Sequence, residues 1–263
     1  MTPLMLAAAN PGPMTGEGNW TYLIGDRSPV LIDAGVGNPL HLEALADAAP
    51  RGPARVVVTH AHSDHMAGAP EIAKRWPSAV FQKYPWAGRD AELPWQPLAD
   101  GDVVATDEGD LHVVHTPGHA PDHLVLWHPE SRALFAGDML VQGNTVVILA
   151  SHGGDLAAYL TSLARMRDLN PQRAYPAHGP VIDDPIGLID RYVAHRAQRE
   201  AQVLDALAHD RDTVEAITTG IYTGLKDALI PMARESVLAH LQKLAHEGRV
   251  VQSEQRWRLV ERS

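Results

Sequence analysis

Residues 54–65 read Ala-Arg-Val-Val-Val-Thr-His-Ala-His-Ser-Asp-His. Ala54–Thr59 is a short apolar run of strand character, and it passes without a linker into three histidines and an aspartate. If the chain stays extended past the strand end, alternation turns His60 and His62 to the same side, and Asp64 continues that spacing. His65 reaches a second centre once the chain turns into the next helix, predicted over Gly68–Trp76. Two imidazoles on one cation, with a carboxylate and an imidazole on its neighbour, is sound chemistry for divalent zinc, manganese or iron. A solvated histidine tract has a similar composition, but this run joins an apolar strand to a helix.

Other segments share the pattern of a short apolar strand that ends on an ionisable residue beside glycine or proline. Leu111–His115 enters Thr116-Pro117-Gly118-His119, Leu134–Gly137 enters Asp138, and Ala174–Pro176 enters Ala177-His178-Gly179. Proline and glycine force a sharp turn at the first of these. Each is weak by itself; their recurrence points to one sheet edge furnished with ligands.

Outward from these segments, the order of elements is mixed. Trp20–Gly25 and Pro29–Asp33 read as a hairpin and Pro39–Ala49 as a helix. Strands are expected at Ala79–Gln82, Asp102–Ala105, Leu124–His128 and Ala133–Ala136, and a helix at Leu156–Leu169. This predicts an α/β protein with sheet layers covered by helices. From about Asp184 the composition changes. Ile186–His209, Thr213–Gly220 and Glu235–His246 read as helices, and Arg249–Gln252 with Arg256–Val260 as a small hairpin. The expected division is a first unit over 1–184 and a winged-helix-like unit over 185–263, the latter serving packing or homo-dimerisation rather than DNA reading.

The chain has 263 residues, 15 histidines, no cysteine and a net charge of −10. Without cysteine, any metal is held by nitrogen and oxygen. Residues 1–190 carry 11 basic and 22 acidic side chains, and 191–263 carry 11 and 10, so the negative charge belongs to the first part. Such a field opposes broad nucleic-acid binding. No stretch approaches the roughly 18 apolar residues of a membrane span. Met1–Asn10 lacks early basic residues, so neither a leader nor a membrane partner is expected, and the expected location is cytoplasmic.

THAHSDH at 59–65, HTPGHAPDH at 115–123, FAGD at 135–138 and YPAHGP at 175–180 resemble the metallo-beta-lactamase superfamily. RYVAHRAQRE at 191–200 and SVLAHLQKLAHEGRV at 236–250 are similar to the beta-lactamase-like protein 2 family within it. The resemblance implies an αββα sandwich followed by a winged-helix-like domain. It also implies His60, His62 and His119 on a first metal, Asp64, His65 and His178 on a second, and Asp138 between them. The implied cofactor is two divalent ions, zinc first, with manganese or iron as alternatives. The family's Gly-Thr-Asn-Thr-Tyr-like strand is here Gly18-Asn19-Trp20-Thr21-Tyr22, so Trp20 stands where the asparagine is expected and the substrate contacts are expected to be less polar.

Two adjacent cations share a water or hydroxide, which points to hydrolysis, with Asp64 orienting the nucleophile. A small acyl substrate (thioester, ester or lactone) is the favoured class. A single-stranded RNA endonuclease and a non-enzymatic winged-helix interaction protein are the alternatives. Arg191, Arg196, Arg199 and Lys226 are the basic residues an RNA reading needs, with Arg196 and Arg199 three apart on one helix. Asp122 is a candidate to orient a ligand imidazole. Thr145, with Asn144 and the His152-Gly153-Gly154 turn, is a candidate for the substrate mouth. His115 is read as a strand-end polar residue, and His123 as close to the pocket without being a ligand.

Overall fold

The run Val30-Leu31-Ile32 contains the plan of the molecule. Val30 and Ile32 turn to one side and Leu31 to the other, and all three are buried. Strands buried on both faces are written as continuous apolar runs, and the central strands here obey that rule. In the computed structural model, which describes residues 1–90 and 93–260, two sheets lie face to face with helices on their outer sides.

The first sheet has the order β1 (Leu4–Ala7), β2 (Trp20–Ile24), β3 (Val30–Ile32), β4 (Arg55–Val58), β5 (Val80–Lys83) and β6 (Gln96–Pro97). The strands β1 to β3 pair antiparallel, and β3 to β6 pair parallel. The second sheet runs β11 (Arg173–Pro176), β10 (Ala133–Gly137), β9 (Leu124–His128), β8 (Gly109–His115) and β7 (Val103–Thr106). It is antiparallel except for the β10–β11 pair. Between the sheets, Tyr22, Ile32 and Val57 meet Leu111, Leu126, Phe135 and Tyr175.

Helices α1 (Pro39–Ala48) and α3 (Ala69–Arg75) cover the outer face of the first sheet, where Leu45 and Ile72 pack on Leu31 and Val56. Helix α4 (Leu156–Asp168) covers the second, with Tyr159, Leu163 and Met166 on Val125 and Leu134. The αββα sandwich expected from the sequence is therefore present. Strand β1 was not foreseen: the apolar N-terminal residues form an edge strand on β2.

Helix α5 (Pro185–Ala208) is 24 residues long, about 36 Å at 1.5 Å per residue. Its first half places Leu188, Ile189 and Tyr192 on the core beneath α4. Its second half places Val203 and Leu207 in a separate core with α6 (Val214–Ile221), α7 (Ile230–His246), β12 (Val250–Ser253) and β13 (Arg256–Leu259). This is the winged-helix unit. Helix α7 starts five residues before the expected Glu235, because Pro231 sits in its first turn, where a missing N–H costs nothing. Glu235 instead docks the unit: its carboxylate accepts the Ser151 backbone N–H (3.0 Å) and hydroxyl (2.6 Å). No helix among the described residues is long and apolar enough to cross a membrane.

Candidate metal centre

Strand β4 ends at Val58, and the next residues leave the sheet edge as expected. His60 is fully buried and His62 half-buried, while Ser63–Met66 forms a single helical turn, α2, that carries Asp64 and His65. His119 comes from the turn after β8, Asp138 follows β10 directly, and His178 follows β11. The two sheets are tied at this edge by the Leu124 N–H donating to the Thr59 carbonyl at 2.9 Å.

The seven side chains converge as two groups. His60, His62, His119 and Asp138 offer ligand atoms that lie within 4.8 Å of one another, as do Asp64, His65 and His178. Asp138 faces both. Its Oδ2 lies 3.4 Å from His119 Nε2 and 4.0 Å from His60 Nε2, and its Oδ1 lies 3.3 Å from His65 Nε2 and 3.4 Å from His178 Nε2. In the first group His62 presents Nδ1, which stands 2.9 Å from His60 Nε2 and 3.0 Å from His119 Nε2. Asp64 Oδ2 is 3.4 Å from His65 Nε2 and 3.2 Å from His178 Nε2.

A cation fits this donor set. His65 Nε2 and Asp138 Oδ1 are buried without a hydrogen-bond partner, an arrangement that native interiors avoid unless another group satisfies them. Burial and then the adjacent rings of His65, His123, His119 and His62 hold His60 well below its ordinary pKa. His62 is pulled to about 4 by burial and His119. Neutral imidazoles with free lone pairs are the form a metal takes. Burial pushes the Asp64 carboxyl up, but contacts from His178 and His65 outweigh it and keep Asp64 ionised. At Asp138 burial is likewise overcome, mainly by His65 and then by His119 and His178.

Several rings are oriented from behind. Asp33 Oδ2 lies 2.8 Å from His65 Nδ1, and its Oδ1 accepts the Thr59 N–H at 2.8 Å. Thr59 Oγ1 sits 3.0 Å from His60 Nδ1, and the Val147 carbonyl 2.9 Å from His119 Nδ1. A carboxylate or carbonyl behind a ligand imidazole fixes its tautomer and raises its basicity. Asp33 was missed in the sequence, although Val30–Asp33 shows the same signal as the other ligand segments: an apolar strand that ends on an ionisable residue near glycine.

The remaining candidates divide. His123 is buried, and its Nε2 accepts the Asp138 backbone N–H at 3.1 Å. His115 stacks on Tyr84 with 3.8 Å between ring centroids and bonds the Pro121 carbonyl, away from the ligands. Among the described residues Asp122 makes no hydrogen bond to an imidazole: its Oδ2 lies 3.1 Å from Nζ of the buried Lys83, which Asp90 Oδ1 approaches more closely, at 2.6 Å. The buried amide at the N-terminal strand is Asn19 rather than position 20, and its Nδ2 donates to the Asp64 carbonyl at 2.9 Å. Trp20 directs its indole N–H to the Gly179 carbonyl beside His178. Thr145 is exposed on the rim of a cavity next to the centre, and His152 is exposed in the 3-10 turn Ala150–His152. Arg196 and Arg199 do not form a surface basic patch, because Arg196 is buried against the Val146 carbonyl and the Arg199 guanidinium sits over the Tyr222 ring.

Comparison with known proteins identifies the family. The sequence matches the metallo-beta-lactamase superfamily over residues 14–178 and the beta-lactamase associated winged helix domain over residues 213–257. A beta-lactamase-like protein 2 homolog of Caenorhabditis elegans is 34% identical, covering 91% of this chain and 82% of that protein. An atrochrysone carboxyl ACP thioesterase of Aspergillus chevalieri is 34% identical over 92% of this chain and 80% of its own length. In fold, a metallo-beta-lactamase family protein from Thermus thermophilus superposes with a TM-score of 0.82 at 21% identity, covering 98% of both chains. By its sandwich, its winged helix and its His/Asp clusters suited to metal ions, the chain belongs to the metallo-beta-lactamase superfamily, in the group that includes the beta-lactamase-like protein 2 homologues.

Proposed function

We propose that this protein is a dinuclear metal-dependent hydrolase of small acyl compounds, with thioesters ahead of esters and lactones. One observation carries the reading: the two oxygens of Asp138 face two separate sets of ligand atoms, as a carboxylate shared by two cations would. His60, His62 and His119 would hold one ion, and Asp64, His65 and His178 the other. Bound divalent cations, zinc by the donor set or manganese or iron, supply a water of lowered pKa and polarise a carbonyl oxygen.

The chain's own groups do the rest. Asp64 is 19% exposed and faces both His65 and His178, placed to orient the attacking water. Asp33, Thr59 and the Val147 carbonyl keep His65, His60 and His119 aimed, so little reorganisation is needed as charge develops. The thioester preference draws support from the fungal relative's name, which is that of an ACP thioesterase.

The test is one parallel hydrolysis panel of a thioester, an ester, a lactone, single-stranded RNA and a beta-lactam, run with His60→Ala and Asp138→Ala beside the parent chain. A thioester rate lost in both variants is the expected result. A rate on RNA alone would transfer the protein to the nuclease class, and full activity in both variants would remove the mechanism.

A further inference from the structure

Beside the metal centre, residues 145–148, helices α5 and α7 and the chain between α6 and α7 line a partly open cavity of about 220 Å³. Its walls include Val147, His195, Arg196, Arg199, Tyr222 and Ser236. Arg196 is only 4% exposed, and one of its Nη atoms donates to the Val146 carbonyl. Arg199 lies 4.1 Å from the Tyr222 ring centroid and gives one Nη to Gln202 at 2.7 Å. The Nε of each arginine and Nδ1 of His195 are buried without a partner.

Neither guanidinium has a counter-charge. Among the described residues no carboxylate lies within 4.0 Å of Arg196 or Arg199, and nearby Glu200 is engaged by Lys243 and Arg249. His240, buried under the same arginines with both ring nitrogens unpaired, is held neutral with its pKa near 3, by burial first and then by these cations. Buried charges in proteins are ordinarily paired, and a chain of net charge −10 had carboxylates to spare. Two neighbouring unpaired guanidiniums over an open cavity are the donor arrangement that receives a carboxylate or phosphate.

The cavity and the metal centre share a wall. Arg196 holds the Val146 carbonyl, and the ligand His119 holds the very next carbonyl, that of Val147. We infer that the cavity is an oxyanion subsite, and that it takes a carboxylate or phosphate group carried by the substrate whose acyl bond reacts at the adjacent centre. The second half of this statement rests on the hydrolase reading above; the first does not. The winged helix thereby becomes part of substrate selection, since Tyr222 and Ser236 belong to it.

The test uses the full-length chain, calorimetric titration with inorganic phosphate and with glutarate, and a pair of thioesters that differ only by a terminal carboxylate or phosphate. Arg199→Gln and Arg199→Lys are the main variants, because Arg199 is half-exposed and its loss leaves the core intact; Arg196→Met is the severer one. Parent protein is expected to bind at least one anion, the two titrations separating carboxylate from phosphate, and Arg199→Gln to bind it about tenfold more weakly. The same variant should lower the kcat/KM ratio of charged over neutral thioester by about tenfold. No binding by the parent at about 10 mM anion, or equal binding by Arg199→Gln, overturns the subsite. Equal kcat/KM for the two thioesters in the parent overturns the substrate assignment. Anion binding lost in the variant, with no hydrolysis of any thioester, ester or lactone by the parent, keeps the subsite and discards the acyl-hydrolase reading.

Discussion

The backbone N–H of Asp138 donates to Nε2 of His123 at 3.1 Å, so a histidine outside the two clusters of candidate ligands sets the position of the carboxylate that faces both. Because Nε2 accepts, the ring proton is on Nδ1, which faces Thr116 Oγ1 at 2.9 Å. His123→Leu leaves a buried N–H unpaired, a cost of about 1–3 kcal/mol, and releases Asp138 from its place. Gly137→Ala attacks the same contact from the other side: φ is +47° there, and a Cβ would fall 2.6 Å from His123 Nε2. Both variants should lose bound metal and at least about tenfold in kcat/KM. Parent-like metal content and rate in His123→Leu would refute the positioning role.

Asp33→Asn isolates the support of His65. Asp33 has φ +63°, a left-handed conformation that asparagine tolerates, so the backbone survives the change. The variant replaces the carboxylate behind His65 Nδ1 by a neutral amide. Metal affinity at the second site should fall about 10- to 100-fold, read by competition with a chromogenic chelator. An unaltered competition curve would show that His65 is held without Asp33.

Metal-replete protein should carry close to two divalent ions per chain by elemental analysis. Chelation should abolish hydrolysis while far-UV circular dichroism persists, because the apolar clusters between and outside the sheets hold the fold. Restoring metal at about a thousandfold excess over Kd should add about 4 kcal/mol per site to the unfolding free energy. A chelated protein that melts at the same temperature as the loaded one would contradict the dinuclear centre.

His41 predicts a pH dependence separate from the centre. It is fully buried, Nε2 lies 2.8 Å from Thr21 Oγ1, and burial lowers its pKa from 6.5 to about 4. Between those values the unfolded chain takes up a proton that the folded chain refuses. Stability from this group is complete above pH 6.5 and declines as pH falls toward 4, by about 1.4 kcal/mol per pH unit. His41→Gln should flatten the urea-derived stability between pH 7 and pH 4.5 by roughly that slope. A slope identical to the parent's would mean that His41 is already charged in the fold.

How much was legible beforehand depended on the range of the interaction. The sandwich could be read because strands buried on two faces are apolar throughout, as Val56-Val57-Val58 and Leu134-Phe135-Ala136 are. The candidate ligands could be named because short apolar strands end within two residues of His60, Asp138 and His178, and because the motifs carried a recognisable resemblance. The pairings of Lys83 with Asp122 and of Asp33 with His65 could not be read, since the partners are 39 and 32 residues apart; the ionisable strand end at Asp33 was visible, but its partner was not.

The sequence by itself pointed to a centre of nitrogen and oxygen donors, through the absence of cysteine, the ionisable residues at apolar strand ends and the family resemblance of those motifs. Only the tertiary structure showed which Asp138 oxygen faces which cluster, that His123 accepts the Asp138 N–H, and that Arg196 is buried rather than presented to a phosphate backbone. The physical reason is that a strand end fixes which way its own side chain leaves the sheet. The relative placement of β4, β10 and β11, and of α5 over the 144–148 segment, follows from packing two sheets and a helix whose contacts span the whole chain.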